Sequence, residues 1–144
     1  MDKVEYAKVW VEEASRELYA AKLLLENDIF ELSVYHSQQC AEKALKAVLI
    51  LLGKEIHEHR ISGIFRDEVA IKYDFPYLNE IVNKAFWLEQ HWLSSRYPFK
   101  KINGNVVIPY RIYKKEDAQK ALEYASFILE KIKEFLREEF LLDV

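Results

Sequence analysis

The 144-residue sequence is poor in the residues that break a chain. It has three prolines and three glycines, where average usage would give ~10 glycines. Few breakers mean few turns, and few turns require long elements. All-β architectures need a turn signal every ~8–12 residues, which this chain does not supply. The single cysteine, Cys40, excludes an internal disulfide and any multi-cysteine zinc site. No apolar run approaches the ~20 residues that span a bilayer. The longest, Ala47 to Leu52, is six residues, so no membrane segment is expected. The opening Met1-Asp2-Lys3-Val4-Glu5 places charges where a signal peptide needs apolar residues, which predicts a cytoplasmic protein. Neither Gly-x-x-x-x-Gly-Lys nor Gly-x-Gly-x-x-Gly occurs, which excludes a P-loop or Rossmann phosphate site.

What is present is enough for a core. Hydrophobic residues make up 51% and charged residues 31% of the chain, which excludes a disordered tail or a low-complexity linker. The length and the lack of any linker or repeat predict one domain over 1–144. Val4, Ala7, Val11, Ala14, Leu18, Ala21 and Leu25 recur at spacings of three and four, one apolar stripe on a long helix. Asn27-Asp28 then offers a turn. A second helix is expected from about Glu31 to Leu52, stopping at Gly53, with Val34, Ala41, Ala44, Leu45, Val48 and Leu52 inward. His36, Gln39, Glu42, Lys43 and Lys46 fall largely outside that face. A shorter helix is expected between Ser62 and Lys72. A fourth starts near Asp74-Phe75-Pro76 and runs to about Leu93. A last helix carries Ala118, Ala121, Ala125, Ile128, Ile132 and Phe135 inward, with Glu116 and Asp117 in its first turn. The fold expected is all-α, an up-and-down bundle of four to five helices.

Ser94 to Lys115 does not fit the bundle. It has no helical period, and Pro98, Gly104 and Pro109 interrupt it. Structureless loops beyond ~12–15 residues are uncommon in compact domains and are often functional. Asn103-Gly104-Asn105 has the chemistry to turn a small hairpin between 100–102 and 106–108. The charge is uneven too. Arg96, Lys100, Lys101, Arg111, Lys114 and Lys115 lie between residues 90 and 115 with no acidic residue, leaving −9 for the rest of a chain whose net charge is −3. Trp92, Tyr97, Phe99, Tyr110 and Tyr113 are interleaved with these bases. Basic side chains attract phosphate and aromatic rings stack on bases, so a nucleotide, a single strand or an acidic partner would suit this segment. The alternative is a solvated loop whose aromatics cover one end of the bundle.

The stretch Gln38-Gln39-Cys40-Ala41-Glu42-Lys43-Ala44-Leu45-Lys46-Ala47 resembles the second-helix signature of HEPN domains (higher eukaryotes and prokaryotes nucleotide-binding). The order of landmarks is similar as well: an opening helix over Trp10 to Leu25, His59 after Gly53, Arg96-Tyr97-Pro98 after the fourth helix, and Asp117-Ala118 opening the last. The resemblance implies a small helical bundle, commonly a homodimer, often partnered with a minimal nucleotidyltransferase in toxin–antitoxin pairs. Many HEPN proteins are metal-independent ribonucleases with an Arg-x(4–6)-His motif, in which arginine holds phosphate and histidine moves a proton. Here no histidine stands five to seven residues after Arg16, Arg60, Arg66, Arg96 or Arg111. The resemblance therefore points to binding rather than cleavage, with no cofactor beyond a nucleotide ligand and RNA a lesser partner.

Within that reading Arg96 is the leading residue, a planar fork of donors for phosphate. Its alternative role is a salt bridge to a helix carboxylate. Tyr97 shares the match but is expected to pack inside, before Pro98. Lys43 and Lys46 would meet phosphate together with Arg96, beside Glu42. The alternative is a solvated face with a Glu42–Lys46 pair worth ~0.2–0.5 kcal/mol. His59 is expected to orient the pocket, while Lys100, Lys101 and Arg111 supply basic character. His57 and His59, or His36 and Cys40, offer two ligands each, short of the three or four that zinc needs. Ser94-Ser95 lack a glycine-framed elbow, and Cys40 reads as a small buried hydrophobe. The second functional reading is a ribonuclease that uses His59 or His91 as its acid–base group. A third is a pure interaction module.

Overall fold

A computed structural model describes residues 1–144 and shows six helices and one two-stranded hairpin. These are α1 (Lys3–Glu26), α2 (Phe30–Leu51), α3 (Ser62–Lys72), α4 (Leu78–Glu89), β1 (Phe99–Lys100), β2 (Val106–Val107), α5 (Pro109–Ile112) and α6 (Lys115–Phe140). The fold is an all-α bundle with α2 at its centre, packed on α1, α3, α4, α5 and α6. No helix is long and apolar enough to cross a membrane.

Local chemistry accounts for most of the boundaries. Asp2 caps α1 by accepting the Glu5 N–H at 2.8 Å. Ala7, Ala14 and Ala21, seven residues apart and fully buried, let neighbouring helices approach α1 closely. Asp28, at φ 61°, turns the chain into α2. Gly53, at φ +81°, ends α2 in a Schellman motif: Lys54 N–H donates to Leu49 C=O at 2.8 Å and Gly53 N–H to Ile50 C=O at 3.0 Å. Leu45, Leu49, Ile128 and Ile132 are wholly buried between α2 and α6, each contributing ~1.5–3 kcal/mol by leaving water.

The start of α3 is capped from outside. Neither Ile61 nor Ser62 caps it with its own side chain. Glu89, at the end of α4, accepts from Ile61 N–H at 2.8 Å, Ser62 N–H at 2.7 Å and the Ser62 hydroxyl at 2.9 Å. A helix N-terminus favours such a carboxylate. Burial nonetheless holds the Glu89 carboxyl above its ordinary value, against the pull of these bonds and of Arg60.

Three expectations need correction. The fourth helix ends at Glu89, not near Leu93. Beyond it the chain continues in turns, with His91 N–H on Leu88 C=O and Trp92 N–H on Glu89 C=O, which preserve an apparent helical stripe without a helix. The 94–115 loop also contains one turn of helix, α5, started by Pro109. Its hairpin pairs Phe99 with Val107 and Lys100 with Val106, and Gly104 turns it at φ +89°. Finally, Glu42 and Lys46 do not lie on a solvated face: each is 6% exposed. Residues distant in the chain, in α4 and the segment around His59, cover that side of α2.

Candidate functional site

One face of α2 carries Tyr35, Gln38, Gln39, Glu42 and Lys46, which lie together at helical spacing. At its buried end Glu42 accepts three side chains. Gln38 Nε2 donates to it at 3.1 Å, Lys46 Nζ lies 3.1 Å from its other oxygen, and His59 Nδ1 lies 3.1 Å away. Around Gln38, Glu42 and Glu89 there is no room for a water molecule. A buried carboxylate needs such partners, because an unpaired one costs several kcal/mol. Lys46 also runs over the Trp10 ring, its ammonium 5.7 Å from the centroid.

His59 carries the network outward. With Nδ1 on Glu42, its Nε2 is the uncommitted ring nitrogen, and the side chain is 42% exposed. The imidazole stacks on Trp92 at 4.0 Å with an 18° interplanar angle. Arg96 lies against the same indole, its guanidinium carbon 4.8 Å from the ring centre. That guanidinium is also 4.7 Å from the Tyr35 ring and 4.8 Å from the Tyr97 ring. Its Nε donates to Trp92 C=O at 3.1 Å, one turn back. No carboxylate pairs with it, and the three rings form an aromatic collar around a half-buried guanidinium. The stack thus sets a histidine nitrogen and a guanidinium on the same indole.

The structure gathers Arg96, Tyr97, His59, Glu42 and Lys46 into one connected cluster. Tyr97, expected inside, is 54% exposed and forms part of the collar. Lys43 stands apart. It faces α1, with Nζ 2.9 Å from Glu17 and 3.6 Å from Glu13, and does not join Arg96. His36 bonds the same Glu17 carboxylate. Burial alone would raise that carboxyl, but the bonds from His36 and Lys43, and their charges, hold it below the ordinary range. Lys100 and Lys101 lie exposed on the hairpin, and Arg111 on α5 donates to the Tyr110 hydroxyl at 3.2 Å.

His91, the other acid–base candidate, is held elsewhere. Its Nδ1 lies 2.8 Å from the Tyr113 hydroxyl, and Ser94 Oγ lies 2.8 Å from that same hydroxyl. Burial pushes the His91 imidazole below its ordinary value and the Tyr113 phenol above its own. Cys40 is buried, and burial pushes its thiol up to about 12. No three His, Cys, Asp or Glu side chains converge in a metal-binding group. The residues that sequence reasoning missed are Tyr35 and Gln38. Their only signal was position, seven and four residues before Glu42.

The model of the HEPN domain family matches residues 7–135. The chain belongs to the HEPN domain family. It is 41% identical to a Methanocaldococcus jannaschii protein named "Putative toxin MJ1304", over 95% of this chain and 92% of that protein. Among solved structures, TT1696 from Thermus thermophilus superposes with a TM-score of 0.76 at 26% identity, covering 89% of this chain and 96% of that one. ST0689, described as an archaeal HEPN homologue, gives 0.69 at 31% identity, covering 90% and 97%. An HEPN domain protein from Thermotoga maritima shares the fold, at 0.65 and 24% identity, covering 88% and 96%.

Proposed function

We propose that this HEPN protein binds the phosphate of a nucleotide at Arg96, without catalysing a reaction itself, and acts beside a separate minimal nucleotidyltransferase in a toxin–antitoxin-like pair. One observation carries the reading: a guanidinium with no carboxylate partner, held among three aromatic rings. This arginine has no acid partner and its fork suits a bidentate contact with phosphate oxygens, while the exposed Tyr97 ring beside it offers a face for a base. The toxin name borne by the M. jannaschii relative supports the pairing.

The test is thermal unfolding of wild type and Arg96→Ala against a panel of nucleotides, with and without magnesium. A ligand at 100 times its dissociation constant stabilises the fold by ~2.7 kcal/mol. The expected result is a shift for one nucleotide that disappears in Arg96→Ala. No shift for any nucleotide would sink the reading.

A second reading rests on the Glu42–His59 pair. A buried carboxylate that bonds Nδ1 and leaves Nε2 uncommitted on a half-exposed histidine is the arrangement of a general base. With Arg96 on the adjoining indole, it would suit metal-independent RNA cleavage. RNA cleavage that persists in chelator and is lost in His59→Asn would establish that reading over the first.

A further inference from the structure

The amide of Gln39 is held in one orientation, and nothing in the fold uses its oxygen. Glu42 accepts from Lys46, His59 and Gln38 Nε2. A carboxylate facing an ammonium only accepts, so Gln38 must turn its amide nitrogen toward Glu42 and its oxygen away. That oxygen accepts from Gln39 Nε2 at 2.7 Å. The second amide is thereby turned as well, with its own Oε1 left over. Gln39 Oε1 has no partner within the chain, and Ser37 Oγ is the single buried side-chain polar atom in that state. The Gln39 oxygen is therefore open to solvent.

Its place on α2 sets this acceptor between the two ends of the Arg96 cluster. Gln39 stands one helical turn after Tyr35 and one before Glu42, spacings that leave Cβ atoms ~5–6 Å apart. The Tyr35 ring lies 4.7 Å from the Arg96 guanidinium. His59, bonded to Glu42, stacks on the indole that Arg96 also touches. A free glutamine amide turns either way and meets amino and keto groups equally well. One locked through Gln38 to a buried carboxylate offers only its oxygen.

We infer that Gln39 selects the base, so that the site takes an adenine nucleotide whose exocyclic amino group donates to Gln39 Oε1. The inference rests on phosphate binding at Arg96 as proposed above. Glutamine is a common partner of the adenine amino group. A keto oxygen in the same place would set acceptor against acceptor and leave both unpaired. Guanine carries such an oxygen there. Cytosine has the amino group on a smaller ring, whereas adenine joins it to a purine face that can stack on the exposed Tyr97.

The test is calorimetric titration of wild type, Gln39→Met and Arg96→Ala with adenosine monophosphate and with inosine monophosphate, which has a keto oxygen in place of the amino group. Wild type is expected to bind the adenosine ligand about tenfold tighter or more. Gln39→Met keeps the chain length and removes the acceptor, so it should bind both ligands alike, at the inosine level. A variant that had merely loosened the site would weaken toward both and keep the ratio. Circular dichroism checks the helix content of each variant. Equal binding of the two ligands to wild type, with both lost in Arg96→Ala, would overturn this inference and leave phosphate binding standing. So would a Gln39→Met that still prefers the adenosine ligand. Binding of neither ligand to wild type would overturn both readings.

Discussion

The two sides of α2 carry similar charges in different settings. On one side Lys43 and His36 share Glu17 across the α1–α2 contact, and the network closes on itself. On the other, Glu42 holds Lys46, Gln38 and His59, and the network continues through Trp92 to an arginine with no acid partner. The first arrangement consumes its donors within the fold. The second ends in unused ones. Salt bridges on both sides therefore differ in what they leave over, and only the second side leaves a cation without an acid partner.

Breaking each side should cost different amounts. The largest loss is expected for Glu42→Ala, which leaves Lys46 buried without its partner. Removing one member of such a pair costs about 3–5 kcal/mol, measurable by urea unfolding. Glu89→Ala is expected to cost ~1–3 kcal/mol, because it strips the cap from α3 and orphans buried donors. Lys43→Ala, on the closed side, should cost no more than ~1 kcal/mol, since its Glu17 partner keeps His36 and both are within reach of water. A Glu42 loss no larger than the Lys43 loss would break the comparison.

The pH dependence sharpens it. The Glu17 carboxyl titrates lower in the fold than unfolded, so its contribution is full above the ordinary value of 4.5 and is lost as pH falls through the depressed folded value. Lys43 is shifted the other way: burial opposes its charge, but Glu17 and Glu13 raise it. Its contribution is full below 10.5 and fades as pH rises through the higher folded value. His91 is depressed by burial, so stability falls first as pH drops from 6.5 through its folded value. Unfolding midpoints recorded against pH should therefore decline in two acid stages, the raised Glu89 carboxyl acting in the opposite sense as it protonates above 4.5, and Lys43→Ala should flatten the Glu17 stage.

These particulars show what a sequence can and cannot reveal. Gly53 as the end of α2 and the Asn27-Asp28 turn were legible because each is decided by residues within a few positions, whereas Ser62 to Lys72 was legible as a helix although its cap, Glu89, stands 27 residues away. Glu42 and Lys46 were misplaced for the opposite reason. A charged residue beside an apolar stripe reads as exposed, and only residues some 17 to 50 positions away, in the His59 segment and α4, cover it. The Arg96 cluster was legible in its members but not in its geometry. Tyr35, His59, Trp92 and Arg96 come from three separate stretches, and no local period links them.

A modest effect on stability is expected for Arg96→Ala, about 0.5–1 kcal/mol for a lost cation–π contact, yet its effect on binding should be the greatest. Calorimetric titration of wild type and Arg96→Ala with a nucleoside monophosphate and with the same nucleoside lacking phosphate tests this directly, once the nucleotide panel has named the base. The account predicts heat only for wild type with the phosphorylated ligand. Equal binding of both ligands, or affinity unchanged in Arg96→Ala, would contradict it.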